Sequence, residues 1–236
     1  MRGRLVPFAA ALGCLIAVAG ARLTLSAAPA FHPAKYQSGA LPPLPPPTVV
    51  GGGEVMLELD VTSTGAVRGV KILRTTPPYG DALAAAVKTW RFTPAETERN
   101  PRPVDPAESG WRPVDSTVLI VLMVRPPAFF GGPTLGDPPR NVGPPSDGTP
   151  IPTTNFAANY PPLARQAGLV LIETTIDLNG RATDNRVLQS SPPFDQTALD
   201  ALQRWTFRPA RVAGSPVPVF AYVAFGFREP VAPGAP

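Results

Sequence analysis

Residues 53–95 and 168–210 align without a gap at an offset of 115, the difference between Trp205 and Trp90. Twelve of these 43 positions are identical, among them Gly53/Gly168, Glu58/Glu173, Gly65/Gly180, Leu73/Leu188, Trp90/Trp205, Phe92/Phe207 and Pro94/Pro209. Replacements such as Tyr79/Phe194, Ile72/Val187 and Val87/Leu202 keep the apolar pattern where the letters differ. Solenoid units are shorter, roughly 20–50 residues, so the chain reads as a duplicated domain.

The 34 prolines and 21 glycines concentrate outside the repeat, at 41–47, 125–140 and 142–150, which read as linkers. This divides the chain into a leader (1–30), a Pro-rich entry linker (31–50), a first domain (51–126), a second linker (127–152), a second domain (153–229) and a tail (230–236). Each domain has a small core. With Pro-rich linkers between them, residues from about Pro152 onward are expected to fold alone.

Arg2 and Arg4 precede an uncharged run, 5–21, that ends at Arg22, with small residues offering cleavage after Ala21 or Ala30. The run fits a signal peptide or a short N-terminal membrane anchor, and either implies export to the periplasm of a Gram-negative-type bacterium. The only cysteine, Cys14, lies inside it, which leaves the rest of the chain without a disulfide. Three of the 21 basic residues also lie in the leader, so 18 remain against 17 acidic ones. That near-balance carries no footprint for nucleic acid. Membrane contact is expected only through the leader.

Within the first copy, Val55, Leu57, Leu59 and Val61 alternate with Met56, Glu58 and Asp60, the period of a strand with one buried face. A turn at 62–65 and a second strand at 67–74 complete a hairpin. In the second copy the turn is Asp177-Leu178-Asn179-Gly180, whose Asn-Gly pair tolerates positive φ. A Pro-Pro pair follows each hairpin, and then helical spacing: Leu83, Ala86, Val87 and Trp90, matched by Ala198, Leu199, Leu202 and Trp205. Trp90, Phe92, Trp205 and Phe207 are therefore assigned to the cores. A last strand closes each copy, at 116–125 and 217–228, and Tyr160-Pro161-Pro162-Leu163 predicts a short extra helix ahead of Gly168.

In order, Tyr160-Pro161-Pro162-Leu163-Ala164-Arg165, Gly168, Asp177-Leu178-Asn179-Gly180, Val187-Leu188-Gln189-Ser190-Ser191, Phe194-Asp195 and Trp205-Thr206-Phe207-Arg208-Pro209-Ala210 resemble the TonB C-terminal domain family. The first copy is similar to a divergent member, keeping Gly65, Leu73, Trp90-Arg91-Phe92-Thr93-Pro94-Ala95 and Arg112-Pro113-Val114. The resemblance implies an α+β fold, two tandem domains each with a three-stranded antiparallel sheet against one or two helices. It also implies a protein partner, an extended segment of an outer-membrane receptor or periplasmic protein, and a role in TonB-dependent transport. The leader holds no histidine of the kind through which energy-transducing members engage a motor, and 41–47 is short and uncharged.

No residue pattern supports catalysis. His32 is the only histidine, so Ser190-Ser191 lack a relay and read as turn or cap residues. Asp115-Ser116-Thr117 lacks the glycine of an aspartic-protease loop, no His or Cys cluster offers a metal site, and Gly51-Gly52-Gly53 precedes a strand rather than a helix. The chain is expected to be no enzyme and to need no cofactor.

The last strands carry the binding expectation. Residues 118–124 are apolar on both faces, so something covers the second face: the other domain, the linker bearing Phe129-Phe130, or a second chain. Pro216 and Pro218 flank the start of the other last strand, and proline is confined to sheet edges. Val219, Phe220, Ala221, Tyr222, Val223, Ala224 and Phe225 are therefore expected to form an open edge that recruits an extended partner. The alternative is a scaffold, in which the domains dimerise or pack on each other.

Overall fold

The computed structural model describes residues 30–45, 51–99, 110–125 and 139–229. The first half runs β1 (Phe31–His32), β2 (Lys35–Ser38), the hairpin β3 (Gly53–Val61) and β4 (Val67–Thr75), α1 (Tyr79–Val87), β5 (Arg91–Thr93), β6 (Ala95–Glu98), β7 (Trp111–Val114) and β8 (Ser116–Val124). The second runs β9 (Arg140–Asn141), β10 (Ile151–Thr154), the hairpin β11 (Gly168–Ile176) and β12 (Ala182–Gln189), α2 (Asp195–Leu202), β13 (Thr206–Arg208), β14 (Arg211–Val212), β15 (Ser215–Pro216) and β16 (Val219–Phe227). The calls on the leader, on Phe129-Phe130 and on the tail lie outside the described residues. Among the described residues no helix is long and apolar enough to cross a membrane.

The hairpins form where the turns permit them. Gly65 (φ +81°) and Gly180 (φ +77°) both take the left-handed conformation, and a side chain at either would run into the carbonyl oxygen of Phe92 or Phe207. That close approach lets the chain after each tryptophan dock back, with Phe92 N donating to Gly65 O (2.9 Å) and Phe207 N to Gly180 O (2.8 Å). Glycine is required twice over, for φ and for space.

Each hairpin then pairs antiparallel with its own last strand, in matching registers. Gly53 faces Val124 and Val61 faces Ser116; Gly168 faces Phe227 and Ile176 faces Val219. The two three-stranded units, with the short β9 added outside β4, form a single seven-stranded sheet, ordered β12-β11-β16-β8-β3-β4-β9. The joint is parallel, with Ala221 beside Leu119 through Gly226 beside Val124.

A parallel joint between two antiparallel units turns one face-down relative to the other. Along β8, Val118, Ile120, Leu122 and Val124 pack with Leu83 and Val87 of α1, whereas Leu119, Val121 and Met123 pack with Ala198 and Leu202 of α2. The helices thus lie on opposite faces of the common sheet. This is why residues 118–124 are apolar on both sides: alternate side chains serve different cores. Each core therefore contains residues of both halves.

Two arms stand out, the first within the segment expected as entry linker and the second running from the expected second linker into the second domain. β2 pairs with β5, Tyr36 opposite Phe92, and β10 pairs with β13, Pro152 opposite Phe207. Trp90 Nε1 donates to Ala40 O and Trp205 Nε1 to Phe156 O, both at 3.0 Å. Each arm is anchored on its own half and lies across the other half's bare sheet face. Phe31, Tyr36, Leu41 and Leu44 of the first arm pack with Leu171, Tyr222 and Ala224, and Ile151, Ala157 and Ala158 of the second with Met56, Leu73 and Leu119. The helix predicted around Tyr160 is instead a turn, Ala164 N donating to Pro161 O (3.1 Å). Two prolines in succession leave too few amide donors to propagate a helix before Gly168 enters β11.

Candidate functional site

The residues expected to form an open edge lie at the centre of the molecule. β16 pairs with β11 along its whole length and with β8 from Ala221 onward, so Ala221, Tyr222, Val223, Ala224 and Phe225 do not present a free edge, whereas Val219 and Phe220 are paired with β11 alone. This corrects the expectation from Pro216 and Pro218. Pro216 belongs to the small β14–β15 hairpin, opposite Arg211, and Pro218 falls between that hairpin and β16. Neither proline occupies the ladder that its missing N–H would interrupt.

Side chains along β16 alternate between the two cores. Val219, Ala221, Val223 and Phe225 belong to the α2 side, and Tyr222 and Ala224 to the α1 side. Trp90, Phe92, Trp205 and Phe207 are all buried, the two tryptophans flanking the joint on opposite faces. Trp205 meets Phe225 edge-on at 5.6 Å, and Trp90 meets Tyr222 edge-on at 6.3 Å.

Tyr222 is the polar centre of the joint. Its hydroxyl accepts from Tyr36 N (2.7 Å) and donates to Glu173 Oε2 (3.2 Å), while Glu173 Oε1 accepts from Arg186 Nη2 (2.9 Å). Burial pushes the phenol pKa far above its ordinary value, and Glu173 adds to that rise, so the group acts as a neutral hydrogen-bond donor. The arm, the last strand and the second hairpin meet in this one chain of bonds.

On the opposite face, Glu58 accepts from Ser146 N (2.7 Å) and Ser146 Oγ (2.8 Å), with Lys71 Nζ at 3.7 Å. Burial alone would raise its pKa, but hydrogen bonds from Thr149 and Ser146 and the charge of Lys71 hold it below the ordinary carboxylate value. Glu54 accepts from Arg74 Nη1 (3.0 Å) and Asn155 Nδ2 (2.6 Å), tying the second arm to the first hairpin. Arg228, at the end of β16, is buried and donates from Nη2 to the hydroxyl of Tyr79 at the start of α1 (2.8 Å).

The residues weighed for catalysis are engaged structurally. Ser190 Oγ donates to Asp195 Oδ2 (2.5 Å) and Ser191 N to Asp195 Oδ1 (2.8 Å), which holds the turn into α2. Asp115 accepts from Ser63 N and Arg68 Nη1, both at 2.8 Å, and these bonds depress its pKa. No cluster of three His, Cys, Asp or Glu side chains suited to a metal occurs among the described residues.

The two outer rims of the sheet differ. On β4, Arg74 and Thr75 pair outward with Asn141 and Arg140 and Leu73 O accepts from Val142 N, while 67–72 pair with no outer strand among the described residues. On β12, the register shifts between Glu173/Arg186 and Thr175/Thr183, where Asp184 takes φ +49°. A bulge carrying charge discourages a further strand. Sequence reading missed the two arms and the parallel joint. One signal for the joint was present: β16 reads Val-Phe-Ala-Tyr-Val-Ala-Phe-Gly-Phe, as apolar on both faces as β8.

A duplex of hairpins, each closed by a helix and a long last strand, defines an α+β fold. Residues 157–228 match the family described as Gram-negative bacterial TonB protein C-terminal. A search of the curated proteins found no match to the chain.

Proposed function

We propose that this is a non-enzymatic, TonB-like protein of the bacterial cell envelope, built from two TonB C-terminal-type domains of which the first is divergent. It acts in the periplasm as a scaffold whose two domains are each other's partner. The observation that carries this reading is the β8–β16 joint: the edge of the matched domain that would accept an extended strand already holds one, over six residue pairs from Ala221/Leu119 to Gly226/Val124. The first domain keeps the elements of the second in the same order and register, which supports a common origin.

A second reading draws on the same joint. Because β16 accepts a parallel strand from Ala221 to Gly226, an extended segment of an outer-membrane or periplasmic protein would compete with β8 for that edge, as strand addition requires. A protease site placed between Arg125 and Arg140 separates the two. After cleavage, the scaffold reading expects the halves to co-elute on gel filtration and to remain together when receptor-derived peptides are added. Halves that part on peptide addition would favour strand exchange, and halves that part on cleavage alone would remove the scaffold reading.

A further inference from the structure

The second half carries an exposed face that the first lacks. Thr206 and Arg208 point outward from β13, on either side of the buried Phe207. Arg181 pairs with Thr206 where the chain docks under the hairpin turn, so its side chain leaves by the same face. Arg204, two residues before Thr206, lies over the ring of Phe156, 5.1 Å from its centroid. Phe156 is 45% exposed, and Leu178, at the tip of the turn, is 51% exposed.

None of these side chains is needed to build the half. The first half forms the same turn, ribbon and bridge with Ala66, Thr89 and Thr93 in the places of Arg181, Arg204 and Arg208. Ser63 stands in the place of Leu178, and Ala40 takes the part of Phe156 as acceptor from the tryptophan. Arg91, in the place of Thr206, turns back to the carbonyls of Thr89 and Trp90. Where the first half is small and neutral, the second is thus large and apolar, or cationic. Among the described residues none of Arg181, Arg204 and Arg208 has a carboxylate partner; Arg208 gives Nη2 to Ser146 O at 3.3 Å. The acids beside them are short and held inward: Asp177 by Asn179 N and Arg181 N, both at 2.8 Å, and Asp200 by Gln196 Nε2 at 2.7 Å. Further along, Arg211 and Asp147 add one charge of each sign. The longer arginines therefore place positive charge outermost.

We infer that this face docks on an anionic lipid surface, with Phe156 and Leu178 entering the headgroup layer and Arg181, Arg204 and Arg208 meeting lipid phosphates. Protruding apolar side chains interleaved with cations suit such an interface. The course of the chain favours a bilayer over other anionic partners. Arg208 bonds Ser146 O, and Ser146 lines the same groove as Phe31, so the N-terminal arm begins at this end of the molecule. The uncharged run 5–21 is separated from Ala30 by eight residues, a reach of under about 30 Å. The docking does not depend on whether β16 ever exchanges its strand.

The test is co-sedimentation of the full chain with phosphatidylglycerol vesicles, beside phosphatidylcholine vesicles. The expected result is clear preference for phosphatidylglycerol. The triple variant Arg181→Ala, Arg204→Thr, Arg208→Thr installs the residues of the first half, and circular dichroism checks that it folds. It should lower partitioning at least about tenfold, since each arginine near an anionic surface is worth roughly fivefold. Phe156→Ser with Leu178→Ser should weaken binding as well, while Arg165→Ala, beyond the far end of β11, should change nothing. Equal binding to both lipids, or a triple variant that binds as the parent does, would overturn the inference; the second outcome is what binding through the leader alone would give. Tighter binding of a polyglutamate peptide than of vesicles, lost in the triple variant, would assign the face to an acidic protein and overturn it too.

Discussion

Glu58 and Glu173 stand at the same place in the two halves, on the middle strand of each three-stranded unit, and both are buried. They are satisfied differently. Glu58 is met by the second arm itself, through Ser146 N and Oγ, whereas Glu173 is met by Tyr222, which in turn holds the first arm through Tyr36 N. The neighbour of Glu58 on β8 is Leu119, which has no hydroxyl to offer. The helix starts differ as well: Phe194 stacks on Phe227 at 4.4 Å, while Tyr79 takes a hydrogen bond from Arg228 across the joint. Positions shared by the halves therefore set each unit's fold, and positions where they differ set how the units lock together.

The strongest way to break this comparison is to empty the shared cores. Trp90→Ala and Trp205→Ala should each cost roughly 3–5 kcal/mol, as emptying a buried aromatic site does, measured by urea denaturation. Because each tryptophan packs in a core that includes strands of both halves, both variants should unfold in a single transition. Two separated transitions would mean that the halves are independent after all.

The shared turns come next. Gly65→Ala and Gly180→Ala should each cost about 2–3 kcal/mol, since an alanine must hold a left-handed conformation while its methyl group presses on the Phe92 or Phe207 carbonyl. Equal losses support equivalent turns, and an indifferent Gly65→Ala would show that the first half has drifted from the common geometry.

A smaller effect belongs to the second half alone. Tyr222→Phe leaves the Tyr36 amide and one Glu173 oxygen without their partner, a loss of about 1–2 kcal/mol. Amide exchange should quicken at Tyr36 and its neighbours before it quickens in β11. Unchanged exchange there would mean that the first arm is held by packing and not by this bond.

The smallest expected effect is a pH dependence in the first half. Glu58 has a folded pKa below its unfolded value, so its stabilisation is fully present above the unfolded pKa and is lost as pH falls through the folded one. Glu58→Gln should flatten the acid side of the stability profile in this carboxylate range. A profile identical to the parent's would show that the Ser146 and Thr149 bonds do not favour the ionised form.

Much of each unit was legible because its determinants are local. The strand over 55–61, the Asn179-Gly180 turn and the helix ahead of Trp205 depend on near neighbours in sequence and are present in the structure, although β3 is buried on both faces, Met56 and Glu58 included, and α2 stops at Leu202. The joint was harder to read because nothing local states which strand lies beside β16. Its flanking prolines suggested an edge, and its two apolar faces argued against one. The arms escaped for a related reason. Their hydrogen bonds to Trp90 and Trp205 span 50 and 49 residues, and the two acceptors, Ala40 and Phe156, are one residue out of step with the repeat. An ungapped alignment ends before reaching them.

The central claim is that β8 and β16 lie side by side and parallel, and in-register cysteines test it most directly. Val121 and Val223 are neighbours on the same face of the joint, whereas Ile120 and Val223 point into opposite cores. Neighbouring strands lie roughly 4.7–4.9 Å apart, within the span that a disulfide bridges. In a chain with Cys14→Ser, Val121→Cys with Val223→Cys should oxidise to an intramolecular disulfide, seen as faster migration on a non-reducing gel, while Ile120→Cys with Val223→Cys should not. Failure of the in-register pair to close, or equal closure of both pairs, would contradict the parallel joint and the reading of function built on it.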